Sequence, residues 1–183
     1  MMTEIRISGY GGQGVIRCGY IIGKAASLYD NKNATMTQSF GPEARGSACS
    51  SQVLVSEDKI LYPYVTLPHI LVAMSQEAYS KFIPNLDQNG TLIIDDDLVT
   101  PEEAKGKVKT FAIPSTRFAE EMGAKIVANI VMLGFFTAIT GIVSSEAMRK
   151  AVSNSVPERL VDLNLKAFDK GFSFGQEVKE ASK

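Results

Sequence analysis

The sequence predicts an α/β fold with a mostly parallel sheet, a hairpin at one edge of that sheet and a helical C-terminal part. Three observations support this fold class. The chain opens with an alternating, strand-like segment, followed by a glycine-rich loop and an amphipathic helix. Short apolar segments typical of buried strands then alternate with helical segments as far as residue 113. Beyond residue 115 the apolar residues recur only at helical spacing.

The first strand–loop–helix unit predicts a place where an anion binds. Residues 4–8 alternate as a strand does, and an amphipathic helix begins at Val15. Between them Gly9, Gly11 and Gly14 fit the pattern G-x-G-x-x-G of a Rossmann-like, doubly wound sheet. Glycines let the backbone approach a ligand closely, and the N–H groups at a helix start attract anions. A phosphate or carboxylate is the expected ligand.

Two other interpretations of this loop stay open. A dinucleotide site needs an acidic residue at the end of the second strand, to bind the ribose hydroxyl. The second strand is predicted at 33–40 and ends in Gln-Ser-Phe, whereas Asp30 precedes it, which argues against NAD or FAD. The glycines could also serve only the packing of a tight turn.

The segments that follow are assigned from strand patterns and turn residues. A strand over residues 34–40 ends at a Gly-Pro pair, and residues 47–56 alternate as a further strand. A turn at 57–59 and a short strand at 60–62 complete the predicted edge hairpin. Further strands of the buried type are predicted at 70–74, 91–94 and 107–113.

Helices are assigned from caps and apolar spacing. Ser75 begins a helix that stops before a proline, and Ser115 is the predicted N-cap of a helix ending at Gly123. Another helix is predicted at 145–154. The last one begins at a proline, carries an apolar stripe and is expected to end at Gly171.

One apolar segment has two possible explanations. Residues 126–145 are all uncharged, and this length could cross a bilayer. Asn129 and several Ser and Thr residues dilute the segment, and Gly141 interrupts it. We therefore expect a helix at 125–140 that is apolar on nearly every face and buried in the core or between subunits.

Composition sets limits on function. The 183 residues predict one domain at 1–175 and a polar, frayed tail at 176–183. The net charge of −1 offers no basic surface for nucleic acid, and no secretory signal is seen, so a cytoplasmic location is expected. Two cysteines cannot by themselves hold an iron–sulfur cluster, which takes four protein ligands.

The turn-rich segment 41–46 is a second candidate binding element. It follows the second strand, whose end should face the same crevice as the glycine loop. Arg45 can bind a phosphate or carboxylate with its forked guanidinium, and Glu43 can hold that arginine. A surface turn with a weak ion pair is the alternative.

Other reactive residues give weaker signals. Cys49 has no nearby activating group and is expected to be a buried structural residue. His69 is expected in a loop. The carboxylates of Asp95, Asp96 and Asp97 should point to opposite faces of an extended chain, so a helix-capping loop is favoured over a metal site. No catalytic residue and no metal ligand is therefore assigned.

Two motifs together resemble the gamma subunit of the 2-oxoacid:ferredoxin oxidoreductases. They are the glycine loop at residues 9–15 and Ser-Phe-Gly-Pro-Glu-Ala-Arg-Gly-Ser at 39–47. The resemblance continues through 71–79, 92–95, 127–134 and 163–168, and so covers nearly the whole chain. Tyr10 and the second motif are closest to the 2-oxoglutarate type, while pyruvate-, branched-chain- and indolepyruvate-type subunits are the alternatives.

The resemblance implies a subunit that is inactive alone. The complex would oxidatively decarboxylate a 2-oxoacid to an acyl-CoA and pass electrons to ferredoxin. Thiamine diphosphate, Mg and iron–sulfur clusters would lie in alpha and beta partner subunits, with a delta subunit as a further candidate partner. This chain would help to bind coenzyme A, or pack its loops against a partner. The implied contact residues are Gly11, Gly12, Gln13, Gly14, Glu43, Arg45 and Gly46.

Two other classes of function remain. One is an independent nucleotide-binding oxidoreductase domain, which a bound NAD or flavin would reveal. The other is a scaffold subunit, which would tolerate changes in the glycine loop that preserve folding.

Overall fold

The fold is built on one six-stranded mixed sheet. A computed structural model of the chain describes residues 2–39, 48–102 and 107–182. The strand order in space is β2-β3-β1-β4-β5-β6. The strands are β1 (Thr3–Tyr10), β2 (Asn33–Ser39), β3 (Ala48–Ser56), β4 (Ile70–Ala73), β5 (Thr91–Asp95) and β6 (Lys109–Ile113). The helices are α1 (Val15–Lys24), α2 (Gln76–Phe82), α3 (Ser115–Glu121), α4 (Ala128–Thr140), α5 (Ser145–Ser153) and α6 (Val161–Ala181).

The sheet is parallel from β1 to β6 and antiparallel around β3. β1, β4, β5 and β6 pair in parallel, whereas β3 pairs antiparallel with both β1 and β2. β2 therefore runs in the same direction as β1, with β3 between them. The carboxyl ends of five strands thus lie at one edge of the sheet, and the predicted α/β fold with a mostly parallel sheet is confirmed.

The edge hairpin is present but is formed by other strands than expected. It consists of β2 and β3, and residues 60–62 form no strand. β3 is buried along nearly its whole length because it is paired on both sides, so it is an inner strand. Leu61 and Tyr62, which were assigned to the second strand of the hairpin, are largely exposed.

Two apolar clusters cover the two faces of the sheet. The larger cluster lies between one face and helices α1, α3, α4, α5 and α6, and it includes Ile5, Val53 and Phe135. The smaller cluster lies under α2 on the opposite face and includes Leu71 and Leu92. Successive residues of a strand point to opposite faces, so helices on both sides bury both sets of side chains.

α4 is the buried helix that its composition predicted. Of its 13 residues, all but Ala128 and Thr140 are buried. The helix is capped at its C-terminus by Gly141 in the left-handed conformation (φ 61°). In the part of the chain that the structure describes, no helix is both long and apolar enough to span a membrane. The uncharged segment is therefore explained by burial against the sheet and the neighbouring helices.

α6 shows where the prediction of the C-terminus was wrong. The helix continues through Gly171 to Ala181, so Gly171 does not end it and most of the predicted tail is helical. Gly171 is a packing residue, because a Cβ built there would lie 1.9 Å from the carbonyl oxygen of Val131 in α4. A Cβ on Gly134 of α4 would likewise lie 2.0 Å from the carbonyl oxygen of Phe168. Glycine here permits two helix backbones to touch.

Candidate functional site

The glycine loop is held in place by the side chain of Gln13. Its Oε1 accepts a hydrogen bond from the backbone N–H of Tyr10 (2.7 Å), and its Nε2 donates to the carbonyl oxygen of Met74 (2.8 Å). One amide thus fixes the turn after β1 and ties it to the end of β4. A Cβ on Gly9 would lie 2.4 Å from Gln13 Oε1, so glycine is needed there for the amide to fit. Both polar atoms of the Gln13 amide serve the loop itself.

The start of α1 is suited to an anion. Gly12 (φ 101°) and Gly14 (φ 75°) adopt left-handed conformations that other residues rarely take. Gly14 is the N-cap of α1, and no side chain of the described residues caps that helix end. Gly11 and Gly12 are exposed. N–H groups at such a helix end point outward, and the helix dipole favours negative charge in front of them.

A cavity of about 270 Å³ opens beside this loop. The ends of β4 and β5 and the starts of α1, α3 and α4 surround it. Ligands of open α/β sheets bind outside the carboxyl ends of the strands, and the cavity occupies that position. Its lining residues are Gly12, Gln13, Met74, Leu98, Thr116, Lys125, Ile126, Ala128 and Asn129.

The charged groups around the cavity differ in whether they can contact an anion in it. Lys125 is largely exposed at the cavity and forms an ion pair with Glu120 at 3.0 Å. The fully buried carboxylate of Asp95 is directed to the start of α3. Its Oδ2 accepts hydrogen bonds from Ser115 Oγ (2.5 Å), Thr116 N (3.0 Å) and Thr116 Oγ1 (2.7 Å). The two groups best placed to meet an anion are therefore a lysine and helix N–H groups.

The second predicted binding element lies outside the described residues. Glu43, Arg45 and Gly46 belong to it, so their expected contacts stay predictions. The strand ends on either side of it are described. Ser39 pairs with Ser50 on β3, and Ser50 pairs with Ser8 on β1. As the sequence predicted, the second strand ends at the same sheet edge as the glycine loop.

The acidic triplet caps a helix, as expected. Asp95 binds the first residues of α3, and Asp97 accepts hydrogen bonds from the backbone N–H and guanidinium of Arg117. Ser115, the predicted N-cap, instead lies within the first turn of α3 and donates to Asp95. The chain turns after Asp95, the case in which the carboxylates could converge, and one oxygen of each of the three lies within 4.8 Å of the others. Helix capping accounts for Asp95, and Arg117 forms ion pairs with Asp97 (2.5 Å) and Asp96 (3.9 Å).

The other reactive residues have structural roles. Burial raises the pKa of the Cys18 thiol to about 12 and also raises the pKa of Cys49. Neither is therefore a thiolate at neutral pH, and Cys49 is the buried structural residue that was expected. His69 is an exposed loop residue, as predicted, and its Nδ1 accepts a hydrogen bond from the backbone N–H of Glu4 (2.9 Å).

Sequence reasoning missed three polar residues of the cavity, Thr116, Lys125 and Asn129, of which Asn129 is the most buried. Asn129 is in the first turn of α4, is only 5% exposed and lies against Gly14. A Cβ built on Gly14 would be 2.3 Å from Asn129 Nδ2. The available signal was a lone amide near the start of an otherwise apolar helix. Its contact with the glycine loop, more than a hundred residues earlier, could not be read from the sequence.

The fold and this crevice define a class: an α/β domain of the Rossmann-like kind whose loops and cavity lie at the carboxyl edge of its parallel strands. The family model of the pyruvate ferredoxin/flavodoxin oxidoreductases matches residues 4–174, and the chain belongs to that family.

Curated relatives match the chain along nearly its full length. The 2-oxoglutarate synthase subunit KorC of Methanocaldococcus jannaschii is 49% identical over 180 residues, covering 97% of this chain and 96% of the relative. The KorC subunit of Archaeoglobus fulgidus is 35% identical over 176 residues, covering 96% and 89%.

Solved structures of oxoacid oxidoreductases also match the chain along nearly its full length. The gamma subunit of a keto/oxoacid ferredoxin oxidoreductase from Geobacter sulfurreducens is 44% identical, with a TM-score of 0.82 and coverage of 94% of this chain and 98% of that one. The 2-oxoglutarate:ferredoxin oxidoreductase of Magnetococcus marinus, solved with 2-oxoglutarate, coenzyme A and succinyl-CoA bound, is 25% identical. Its TM-score is 0.88, over 96% of this chain but 31% of that longer chain. The predicted resemblance is confirmed: the chain is a gamma-type subunit of an oxoacid oxidoreductase complex.

Proposed function

We propose that this chain is the gamma subunit of a 2-oxoglutarate:ferredoxin oxidoreductase. Support comes from the KorC relatives, which match end to end at 49% identity, whereas a pyruvate synthase PorC subunit is 28% identical and a ketoisovalerate VorA subunit 29%. The complex would convert 2-oxoglutarate and coenzyme A to succinyl-CoA, carbon dioxide and a proton, and the two electrons released would reduce ferredoxin.

The oxidation chemistry would lie in the partner subunits. Those partners would be alpha and beta subunits, with a delta subunit as a further candidate, and ferredoxin would accept the electrons. The chain contains two cysteines, both buried, whereas an iron–sulfur cluster needs four ligands. Thiamine diphosphate, Mg and the clusters are therefore assigned to those partners, and the isolated chain is expected to be inactive.

The role proposed for this chain is to bind phosphate groups of coenzyme A. The observation that carries it is the start of α1, where Gly12 and Gly14 take left-handed conformations and no described side chain caps the helix. Backbone N–H groups can then meet a phosphate without competition from a capping side chain. Arg45 would add a charged fork from the second motif, since the described strand ends on either side of that motif lie at the same sheet edge.

The size of the cavity defines how much of the ligand it could hold. A site that encloses a drug-sized ligand has roughly 300–1,000 Å³, and this cavity has about 270 Å³. It therefore suits one phosphate-bearing part of coenzyme A, while the rest extends toward partner subunits. Coenzyme A supplies the thiol that accepts the acyl group, and the residues of this chain only bind and orient it.

The test uses the whole complex, purified through a tag on this chain. CoA-dependent reduction of a viologen dye is measured with 2-oxoglutarate, pyruvate, 2-oxoisovalerate and indolepyruvate. The highest kcat/KM is expected with 2-oxoglutarate. A preference for another oxoacid would overturn the subtype, and a chain that purifies alone and inactive would overturn the subunit role.

The same assay tests the phosphate role through Arg45→Ala. We expect a rise in KM for coenzyme A of about tenfold or more, as for loss of a charged hydrogen bond, with assembly unchanged. Lys109→Ala is the matched control, since it removes one positive charge at the start of β6, on the opposite sheet edge. Failed assembly with normal coenzyme A affinity in residual complex would assign the loop to a subunit interface instead.

A further inference from the structure

The outer side of β2 has no partner strand among the residues that the structure describes. β2 is the last strand of the sheet at this end and pairs only with β3. Edge strands usually carry charged residues, prolines or bulges, which prevent pairing with another chain. The sequence of β2, Asn-Ala-Thr-Met-Thr-Gln-Ser, contains no charge and no proline, and its register with β3 is unbroken over residues 33–39. The edge of β2 is therefore open to a further strand.

Two hydroxyl groups of β2 lack a hydrogen bond. The Oγ1 atoms of Thr35 and Thr37 are buried and bond to no group that the structure describes. Buried hydroxyls in proteins nearly always have a partner. Both residues are only half-buried, so rotation about the Cα–Cβ bond can exchange methyl and hydroxyl and turn the hydroxyl to the outer edge. Hydrogen bonds between threonines on adjacent strands stabilise sheets, so an added strand with hydroxyl groups would suit this edge.

The order of residues makes β2 complementary to itself. When a second copy lies antiparallel with the two-fold axis at Met36, Thr35 of each copy faces Thr37 of the other. Residues that face each other across two strands project from the same face of the sheet, so the threonine pairs lie on one face and the two methionines on the other. The outer pairs are Asn33 with Ser39 and Ala34 with Gln38. This register brings no like charges together and gives each threonine hydroxyl a partner.

A groove beside β2 leaves room for side chains of the second copy. Its volume is about 430 Å³, and it lies between α1 and the face of β2 that carries Met36. Tyr20 of α1 lines it and is 54% exposed. The two-fold axis places both α1 helices on the same face of the joined sheet, so the two grooves open toward each other. Filling this space would cover Tyr20.

The area of this contact is that of a weak but specific dimer. The seven residues of β2 span about 23 Å, and a sheet with one layer of helices is about 20 Å deep. Contact along the whole edge would bury roughly 900 Å² in total, close to the ~1,000 Å² at which specific interfaces begin. A dissociation constant in the micromolar range is expected from a contact of this size.

We infer that two copies of this chain pair through their β2 strands, antiparallel about Met36, and join their two sheets into one continuous sheet. The second copy of this chain is the partner that the edge fits, because the sequence of β2 is complementary to itself. In the complex this contact joins two assemblies through their gamma-type subunits. The inference does not depend on the identity of the oxoacid or on the role proposed for coenzyme A.

The first test measures self-association of the full chain by sedimentation equilibrium. At about 100 μM, well above a micromolar dissociation constant, the parent chain should have twice its monomer mass of 19.8 kDa. The double variant Asn33→Lys, Ser39→Lys places two lysines opposite each other in both outer pairs, so dimerisation should weaken about tenfold. A parent chain that stays monomeric at this concentration would overturn the inference.

The matched control has the opposite charge at one of the same positions. The double variant Asn33→Glu, Ser39→Lys places a carboxylate opposite an ammonium group in both outer pairs, so the dimer should be at least as stable as that of the parent chain. Both positions are exposed and lie about 20 Å apart along one strand, so the new charges neither meet within a copy nor enter its core. Equal weakening in the two double variants, or none in the lysine variant, would overturn the proposed register.

The second test identifies the neighbour of β2 in the purified complex by cross-linking with a short bismaleimide. Met36→Cys lies on the two-fold axis and should link this chain to a second copy of itself. Asn33→Cys is the control, because it would lie about 20 Å from its own counterpart and should give no such link. The natural cysteines, Cys18 and Cys49, are both buried. Absence of a link from Met36→Cys, or a link to a different subunit, would overturn the inference.

Discussion

Replacing Gly171 with alanine should destabilise the chain although alanine is the better helix former. In α6 the new methyl group would lie 1.9 Å from the Val131 carbonyl oxygen and 3.1 Å from the Phe135 nitrogen. Real Cβ contacts do not fall below 3.0 Å, and both partners are backbone atoms of α4, so the helices must separate by about 1 Å. Overpacking of this kind costs about 1–3 kcal/mol or more.

The higher helix propensity of alanine acts in the opposite direction and partly offsets this loss of stability. Alanine in a helix interior is favoured over glycine by about 0.8–1.0 kcal/mol. The strain is larger because backbone cannot rotate away as a side chain can, so we expect a net loss of about 2 kcal/mol. For a domain of this size that is a fall in Tm of about 4–8 °C.

The assay is urea unfolding of the full chain, followed by far-UV circular dichroism because the sequence has no tryptophan. Gly23→Ala is the matched control: it lies in the interior of α1, and a Cβ there would have no atom within 4 Å. That variant should gain about 0.5–1 kcal/mol. If Gly171→Ala is as stable as the parent chain or more stable, the close contact between α4 and α6 is refuted.

Two further predictions concern groups outside the cavity. Glu4→Gln should loosen the loop after β3, because Glu4 Oε2 accepts hydrogen bonds from the backbone N–H groups of Thr66 (2.7 Å) and Leu67 (3.0 Å). Hydrogen bonds to a charged group contribute about 1.5–3 kcal/mol each, so the hydrogen exchange of these two amides should become faster. Unchanged exchange rates would contradict this prediction. The Cys18 thiol has a pKa of about 12 in the folded chain and about 8.5 when unfolded, so its contribution to stability is complete below pH 8.5 and is lost as the pH rises toward 12. Urea midpoints at pH 8 and pH 10 should therefore fall less in Cys18→Ala than in the parent chain, and an equal fall would contradict the burial of this thiol.

Local features of the fold could be predicted from the sequence, whereas contacts between residues far apart in the chain could not. The glycine loop and the buried helix could be predicted because their patterns are continuous along the chain. The edge hairpin was predicted too late in the chain. Residues 47–56 alternate as an edge strand does, but β3 is paired on both sides, with β1 and β2. Alternation alone does not tell which neighbour a strand will have.

The same difference between local patterns and distant contacts explains the outcome for individual residues of the helices and of the site. Gly171 was interpreted as the end of a helix because glycine often ends helices, but its role depends on a contact with α4 forty residues earlier. The contact of Gln13 with a ligand stays a prediction, and the structure adds that its amide binds Tyr10 and Met74, which no spacing rule indicates. Asn129 was missed for the same reason, because its neighbour Gly14 is distant in sequence.

The contact between α4 and α6 also affects how the chain is made. α4, the most apolar helix, leaves the ribosome before the residues 161–181 that pack against it. At about 5–20 residues per second the ribosome needs roughly 2–8 s to add the segment that ends α6. During that time the face of α4 with Val131 and Gly134 has no α6 to cover it. Nascent chains of this subunit therefore pass through an aggregation-prone interval that ends only when α6 has been synthesised and can pack against α4.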